Sequence, residues 1–419
     1  MSHQSAMFER YKQVKSCLRF TYKGYDASNI IAVDLISIIY GVLPFKRKTL
    51  FKMFFSIDFS RLKKSFSRSE ARILVTSGDF NGRKDYYEII SHFRKNNEET
   101  AFYDMVAPSY RLSVSLFLIV RVLVAVVFNK QLLLSLRQRI QLACMLSFRL
   151  NCARALERID LSKFEKYVAF SSVHPEEATF TRYFQKRGIP TYSLQHGIYH
   201  IFKEDKPMDV ISYENFNTDH HFCWGAYTRD EFMAYGIPAN RLLVGGYPRH
   251  VKRFNHKKEV GGAERLLVML ARVQFAESND SLILLIRDFA KQKPNLTIDF
   301  KLHPSLDARV VKKALGGIKG EVIDPEVTVT QMLSSGNYGA AIANNTSAYY
   351  ESYMYHTPCL RYVHSSFTNS IGVLDDEFDG LSALISKYAM IKEQADYAKI
   401  EERLRYICGF GENNYNLQP

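Results

Sequence analysis

Short apolar runs alternate with helix-like segments along most of this chain. In the first half the apolar runs are bounded by glycine and proline turns and predict strands at residues 71–76, 167–170, 191–194, 221–224 and 241–244. The segments between them predict helices at residues 84–95, 176–187 and 226–235. A repeated succession of strand, turn and helix is typical of an α/β domain with a parallel sheet.

The pattern restarts after a polar, basic segment at residues 250–263, which predicts a linker. Beyond it, strands are predicted at residues 266–270, 297–302, 338–343 and 358–362, helices at 282–292 and 348–355, and a mostly helical tail at 381–406. We therefore predict four parts: an N-terminal extension (1–70), an N-terminal Rossmann-like domain (71–255), a C-terminal Rossmann-like domain (256–390) and a C-terminal helical tail (391–419).

Positive charge is concentrated at the start of the chain. The 419 residues carry a formal net charge of +13, and the first 70 hold 13 Lys or Arg against 5 Asp or Glu. A solvated surface and nucleic-acid binding are two interpretations, but no nucleic-acid motif accompanies the charge. We favour an anionic membrane surface, because residues 43–55 mix basic side chains with bulky apolar ones.

The longest apolar run, residues 112–128, includes Arg121 near its middle and predicts a buried or interfacial helix. The first residues are polar and lack the apolar core of a signal peptide. The six cysteines show neither metal-binding nor disulfide-framework spacing. These features predict a cytoplasmic protein with reduced thiols, attached peripherally to the inner face of the cell membrane.

Two polar segments follow predicted strands of the second domain, at the sheet edge where α/β proteins bind ligands. The first contains Lys301, His303 and Pro304. The His303 ring could donate a hydrogen bond to a phosphate oxygen, and protonation would strengthen that bond. Pro304 fixes the backbone behind it. The alternative is an ordinary loop histidine.

The second segment contains Asn345, Thr346, Ser347 and Glu351. Thr346 or Ser347 is a candidate N-cap, and the free N–H groups of a helix start favour an anion. Glu351 lies one turn further along the helix and could accept hydrogen bonds from a ribose. The alternatives are a cap without a ligand and a solvated glutamate.

A general base is expected in the first domain. His196 follows the strand at 191–194 and precedes Gly197, so it could take a proton from an acceptor hydroxyl or shape the cleft as a structural residue. Asp79 competes with it, and Glu176 and Glu177 rank last because acidic residues at a helix start often serve only the dipole. Nucleotide-binding glycine loops, zinc spacing and paired-aspartate motifs are absent from the sequence, so we expect a metal-independent mechanism.

Several of these segments together resemble one family. Three sets of motifs carry the resemblance: the string from Ile189 to Gly197; the series Trp224-Gly225, Gly236-Ile237-Pro238 and Gly246 to Arg249; and the His-Pro and Thr-Ser motifs at 303–304 and 346–347. Together they resemble bacterial GT-B glycosyltransferases of surface-polysaccharide assembly. That group includes sialyltransferases, polysialyltransferases, capsule Kdo transferases and CDP-glycerol polymerases. The resemblance implies a GT-B fold, in which two Rossmann-like domains face an interdomain cleft.

The resemblance also implies roles. His303, Thr346 and Ser347 would contact a cytidine nucleotide, with Lys301, Pro304, Asn345 and Glu351 nearby, and the first domain would hold the acceptor and the base. The paired acidic motif of some sialyltransferases has no clear match here. The expected activity is transfer of a sugar or polyol phosphate from a CMP- or CDP-linked donor to a surface-glycan or lipid-linked glycan acceptor. A nucleotide-sugar 2-epimerase and a non-catalytic assembly protein are the alternatives.

Overall fold

The computed structural model describes residues 3–66, 69–78, 83–105, 108–198, 214–249, 251, 265–324, 326–365, 371–391 and 396–417. The described helices are α1 (His3–Cys17), α2 (Ala27–Ile30), α3 (Ala32–Ile39), α4 (Arg47–Lys52), α5 (Ser60–Phe66), α6 (Lys84–Lys95), α7 (Leu116–Val127), α8 (Leu136–Leu156), α9 (Pro175–Gln185), α10 (Ala226–Ala234), α11 (Ala276–Gln292), α12 (Ala308–Ala314), α13 (Val329–Ser334), α14 (Ala348–Met354), α15 (Leu381–Ile391) and α16 (Tyr397–Cys408).

The described strands are β1 (Thr21–Tyr22), β2 (Tyr25–Asp26), β3 (Phe55–Ile57), β4 (Ile73–Ser77), β5 (Thr100–Asp104), β6 (Tyr110–Leu112), β7 (Lys166–Ala169), β8 (Thr191–Leu194), β9 (His220–Cys223), β10 (Leu242–Val244), β11 (Arg265–Met269), β12 (Thr297–Lys301), β13 (Val322–Ile323), β14 (Ala340–Asn344), β15 (Cys359–Tyr362) and β16 (Glu377–Phe378). Almost all of the predicted linker and the candidate base Asp79 lie outside the described residues.

Two six-stranded parallel sheets organise the described part of the chain. The first has the order β10-β9-β8-β7-β4-β5, and the second has the order β13-β12-β11-β14-β15-β16. Inner strands of both sheets are buried on both faces because helices cover both sides; all five residues of β4 and of β14 are buried. The predicted α/β class with two Rossmann-like domains is confirmed, while the exact domain bounds stay predictions.

The first 70 residues pack against the first domain through helix α8. This helix of 21 residues is buried over most of its length and contacts α3, α4, α7 and α9. Its Arg149 binds the carboxylates of Asp34 in α3 (Nε–Oδ2, 2.9 Å) and of Glu176 in α9. A buried cation with two carboxylate partners ties the extension to the sheet-flanking helix α9.

The end of the chain returns to the first sheet. Helix α16 contacts α10 of the first domain and α14 of the second. After it, the Asn414 N–H donates to the Gly245 carbonyl (2.7 Å) and the Tyr415 hydroxyl donates to the Gly246 carbonyl (2.8 Å). Gly246 has a φ of +100°, and a Cβ there would lie 2.1 Å from the Glu412 carbonyl oxygen, so only glycine fits. The tail therefore bridges both domains.

The predicted interfacial helix at 112–128 is α7, which packs on α8. The mixed basic and apolar stretch at 43–55 forms a turn, the short helix α4 and the start of β3. None of the described helices is long and apolar enough to cross a membrane.

Candidate functional site

A cleft of about 550 Å³ lies between the two sheets, at their carboxyl edges. The second domain contributes Lys301, His303, Pro304, Ser305, Thr346, Ser347 and Glu351 to its lining, and the first contributes Arg83, Lys84, Asp85, Glu88, His196 and Arg249. The structure thus brings together most of the residues that the sequence singles out. Of the others, Asn345 is not among the lining residues, and Asp79 lies outside the described residues.

His303 is held in a defined tautomer by its own turn. The Ser305 N–H donates to Nδ1 (3.1 Å), and the Ser305 hydroxyl lies 2.8 Å from the same atom. Burial, with the nearby Arg83 and Arg272, lowers the pKa of His303 to about 4. The neutral ring therefore carries its proton on Nε2, and that N–H is the donor available to a ligand. Protonation, which would strengthen a hydrogen bond to a phosphate, is therefore disfavoured in the free protein near neutral pH.

The lowered pKa of His303 predicts an unusual titration of its ring. In the free protein, His303 should stay neutral between pH 5.5 and pH 8, because its pKa lies near 4. Its contribution to stability is fully present above its ordinary pKa and is lost as the pH falls towards 4, since the unfolded chain binds the proton first. NMR of the ring nitrogens measures this directly, and a midpoint near 6.5 would contradict it. A bound phosphate should raise the midpoint.

The turn before α14 has an unusual backbone. Asn345 has a φ of +45°, a left-handed conformation that asparagine tolerates better than most residues. Ser347 is the N-cap residue, but its side chain makes no capping bond; instead Thr346 Oγ1 accepts a hydrogen bond from the Ala348 N–H (3.3 Å). Because α14 has only seven residues, its dipole is short. The hydroxyls and N–H groups of this turn are the available donors.

Lys301 adds a buried basic side chain beside His303. Its ammonium lies 3.5 Å from the Asp324 carbonyl oxygen, and burial lowers its pKa. A neighbouring anion would raise this pKa again, because it favours the charged form of the amine. Lys301 thus contributes a basic side chain to the same wall of the cleft as His303.

Arg249 connects the two domains, a role that the sequence did not reveal. Its Nη1 donates to Glu351 Oε1 (2.8 Å) in α14, while Nη2 lies 3.5 Å from Asp85 Oδ2 and Nε lies 3.6 Å from Glu88 Oε2, both in α6. The Glu351 side chain is buried, and that of Arg249 is only 11% exposed. Glu351, which the sequence assigns to a ribose, therefore already has one carboxylate oxygen engaged by Arg249.

The start of α6 forms the opposite wall. Arg83 pairs with Asp85 (Nε–Oδ1, 3.0 Å) and donates to the Tyr86 hydroxyl (2.8 Å). Lys84 reaches across the cleft to Glu326 of the second domain (2.9 Å), but both side chains of that pair are exposed. The sequence predicted this helix correctly, yet gave no sign that its first turn faces the other domain.

His196 lies on the first-domain side of the cleft. Its half-buried ring packs against Tyr86 and Phe170, with ring centroids 5.6 Å and 5.3 Å away. Behind it is buried His221, whose Nδ1 lies 2.9 Å from Ser193 Oγ and whose pKa is lowered to about 3 by burial and by His196. Both proposed roles of His196, base and cleft-shaping residue, fit this position.

The two glutamates ranked last do not line the cleft. Glu176 binds Arg149, and Glu177 is fully buried and accepts hydrogen bonds from the N–H groups of Phe170 (2.6 Å) and Ser171 (3.2 Å). Burial raises the pKa of Glu177 well above its ordinary value. Both carboxyl groups therefore have structural roles.

Within the ranges that the structure describes, no group of three His, Cys, Asp or Glu side chains could hold a metal ion. The metal-independent mechanism stays a prediction.

Comparisons with known proteins identify the fold. No protein-family model matches the chain, and no curated protein matches its sequence. A UDP-GlcNAc 2-epimerase from Methanocaldococcus jannaschii, solved in complex with UDP-GlcNAc and UDP, is similar in structure with a TM-score of 0.50 at 14% identity, over 80% of this chain and 98% of that chain. A UDP-N-acetylglucosamine 2-epimerase from Listeria monocytogenes, described as putative, gives 0.50 at 11% identity, over 83% and 94%.

A lipopolysaccharide outer core galactosyltransferase in its apo form gives a TM-score of 0.43 at 11% identity, over 80% of this chain and 95% of that chain, which is too low to carry an argument. At these identities the comparisons bear on the fold alone, and the narrower resemblance to sialyltransferases and their relatives stays a proposal. The chain has the GT-B fold, in which two Rossmann-like domains face one cleft.

Proposed function

We propose that this protein is an enzyme that binds a nucleotide-linked sugar in the interdomain cleft and transfers the sugar to a glycan acceptor. The observation that carries the proposal is the meeting of Lys301, His303 and the Thr346-Ser347 turn on one wall, opposite His196 on the other. The first wall offers N–H, hydroxyl and ammonium donors suited to a phosphate. The second offers a group that can accept a proton.

The proposed reaction is a direct displacement. The acceptor hydroxyl oxygen forms a bond to the anomeric carbon, and the bond from that carbon to the phosphate oxygen breaks. His196 or Asp79 takes the hydroxyl proton, and the nucleotide leaves with the bonding electron pair. The His303 Nε2–H and the Lys301 ammonium stabilise the charge that develops on the departing phosphate.

The motif resemblance favours a cytidine nucleotide and a surface-glycan or lipid-linked glycan acceptor, as in capsule assembly. Peripheral attachment at the inner face of the cell membrane belongs to the same proposal, since such acceptors are made there. The nucleotide base is an open choice between cytidine and uridine, because a solved structure with the same fold was described with UDP and UDP-GlcNAc.

A nucleotide-sugar 2-epimerase is the second candidate, and the fold comparisons favour it. The two solved structures named above with a TM-score of 0.50 are described as 2-epimerases, one of them as putative. Such an enzyme acts on the donor alone. It would use the same phosphate-binding wall, so the two candidates differ in the product and in the need for an acceptor.

A ligand screen followed by product analysis separates the candidates. CMP, CDP, UDP and GDP, free and as sugar conjugates, are added to the full chain while its thermal unfolding is followed; the right ligand should raise Tm by several degrees, because it binds only the folded state. The stabilising sugar nucleotide is then incubated with and without glycan acceptors. Acceptor-dependent release of the nucleotide supports transfer, and acceptor-independent conversion to the C2 epimer supports the second candidate. A lack of stabilisation by every compound would contradict both.

A further inference from the structure

Helix α7 presents an apolar face to solvent. Its inward side chains, among them Leu118, Val122 and Val126, are buried against the α8 side of the domain. The opposite side is equally apolar yet exposed. We call it the α7 face; its members are 57% to 73% exposed and comprise Leu112, Leu116, Phe117, Val120, Val124 and Phe128. A helix that is apolar all round is normally buried on all sides, so this face is suited to a partner.

The stretch of chain that includes this face is basic. Residues 105–156 contain seven Lys or Arg and no Asp or Glu, and one of the seven, Arg149, is buried and paired with Asp34 and Glu176. Lys130 and Arg137 are exposed beyond the end of α7, and Arg111 precedes it. An apolar helix face flanked by exposed basic residues is complementary to a surface in which a negatively charged layer covers an apolar interior.

Arg121 is the one charged residue within α7. Its guanidinium lies over the rings of Phe117 (5.5 Å) and Phe20 (5.3 Å), so its stem covers apolar surface and its head stays in water. An arginine in this position reaches the phosphates of a lipid headgroup layer while the neighbouring phenylalanine enters the acyl boundary.

We propose that the α7 face docks this protein on an anionic lipid bilayer, with the helix axis parallel to the membrane plane. The helix rests in the headgroup layer with its apolar side chains at the acyl boundary. The basic surround contacts the anionic lipids. This surface differs from the stretch at 43–55 that the sequence suggested, although Leu50 and Phe51 of α4 are also exposed.

A second copy of the chain is the competing occupant of the α7 face. Symmetric pairing through this face would bring the basic surround of one copy against that of the other, with Arg121 near the two-fold axis. Like charges brought together at an interface oppose association. The charge pattern therefore favours the bilayer.

Vesicle flotation with the full chain tests the proposal. Vesicles of phosphatidylglycerol and phosphatidylcholine should bind the protein, vesicles of phosphatidylcholine alone should bind it weakly, and added salt should reduce binding to the anionic vesicles. The double variant Phe117→Glu, Val120→Glu should lose binding by about tenfold or more, because carboxylates are placed in the acyl boundary. Leu284→Glu, which changes an equally exposed leucine of α11, should bind as the natural protein does.

Arg121→Gln combined with Lys130→Gln provides a second variant that leaves the apolar residues in place. It should bind anionic vesicles more weakly and with a smaller salt dependence, and equal thermal unfolding of all variants shows that they are folded. Undiminished flotation of the Phe117 and Val120 double variant would overturn the proposal. A natural protein that does not bind anionic vesicles would overturn it as well. If that protein is a dimer in solution and the double variant dissociates it, the face belongs to a second copy.

Discussion

Replacing His303 by alanine should lower turnover of the sugar nucleotide by about a hundredfold or more. The neutral ring is fixed by Ser305 with Nε2–H as its donor, so the substitution removes one preorganised hydrogen bond to the leaving phosphate. The contact strengthens as charge develops, and kcat should therefore fall more than KM rises. Initial rates of nucleotide release or epimer formation, at saturating and limiting donor, measure both quantities.

Two matched variants make the result specific. His303→Gln keeps an N–H donor at a similar reach and should recover part of the lost rate. His356→Asn changes an exposed histidine that precedes β15, at the opposite edge of the same sheet, and should be neutral; asparagine suits its φ of +54°. A near-normal rate for His303→Ala would remove this residue from the mechanism.

Replacing Arg249 by methionine should lower the free energy of unfolding by about 3–5 kcal/mol, the usual effect of removing one partner from a buried ion pair. Methionine keeps most of the side-chain volume, but Glu351 loses the guanidinium 2.8 Å from its carboxylate. Asp85 and Glu88 on α6 lose the same cation. Because Arg249 joins α6 to α14 across the cleft, the affinity for the sugar nucleotide should fall as well. Chemical denaturation and a ligand titration measure the two effects.

The double variant Arg249→Met, Glu351→Gln isolates the buried charge. Glutamine removes the uncompensated carboxylate, so the double variant should regain part of the lost stability, although Asp85 and Glu88 still lack their partner. Arg309→Met tests an exposed pair, since Arg309 is 92% exposed beside Asp307, and should leave the free energy of unfolding almost unchanged. Equal losses from Arg249→Met and Arg309→Met would show that the interdomain pair is not important.

The amino-acid pattern predicted the sheets and helices that surround the cleft. Predicted helix 84–95 coincides with α6, and the predicted strand at 191–194 coincides with β8. These elements have a buried face and an exposed face, or a short apolar run between turns, and this contrast is visible in the order of residues. The same logic placed His303 and Thr346 at one sheet edge, because parallel strands end on the same side.

Other features could not be predicted because they depend on contacts between distant parts of the chain. Helix α8 was missed since it buries polar residues such as Arg149 and Asn151 and so lacks a clear periodicity. Arg249 belongs to a recognised motif, but its pairing with Glu351 arises only when the domains meet. The run at 112–128 predicted a helix, whereas only the structure shows which of its two apolar sides is exposed.

A structure of the protein with a bound sugar nucleotide tests the central claim most directly. We predict that the phosphates lie between the two domains, within hydrogen-bond distance of His303 Nε2 and of the Thr346-Ser347 turn, with the sugar directed towards His196. A nucleotide bound outside this cleft, or bound in it without contact to His303, would contradict the proposed function.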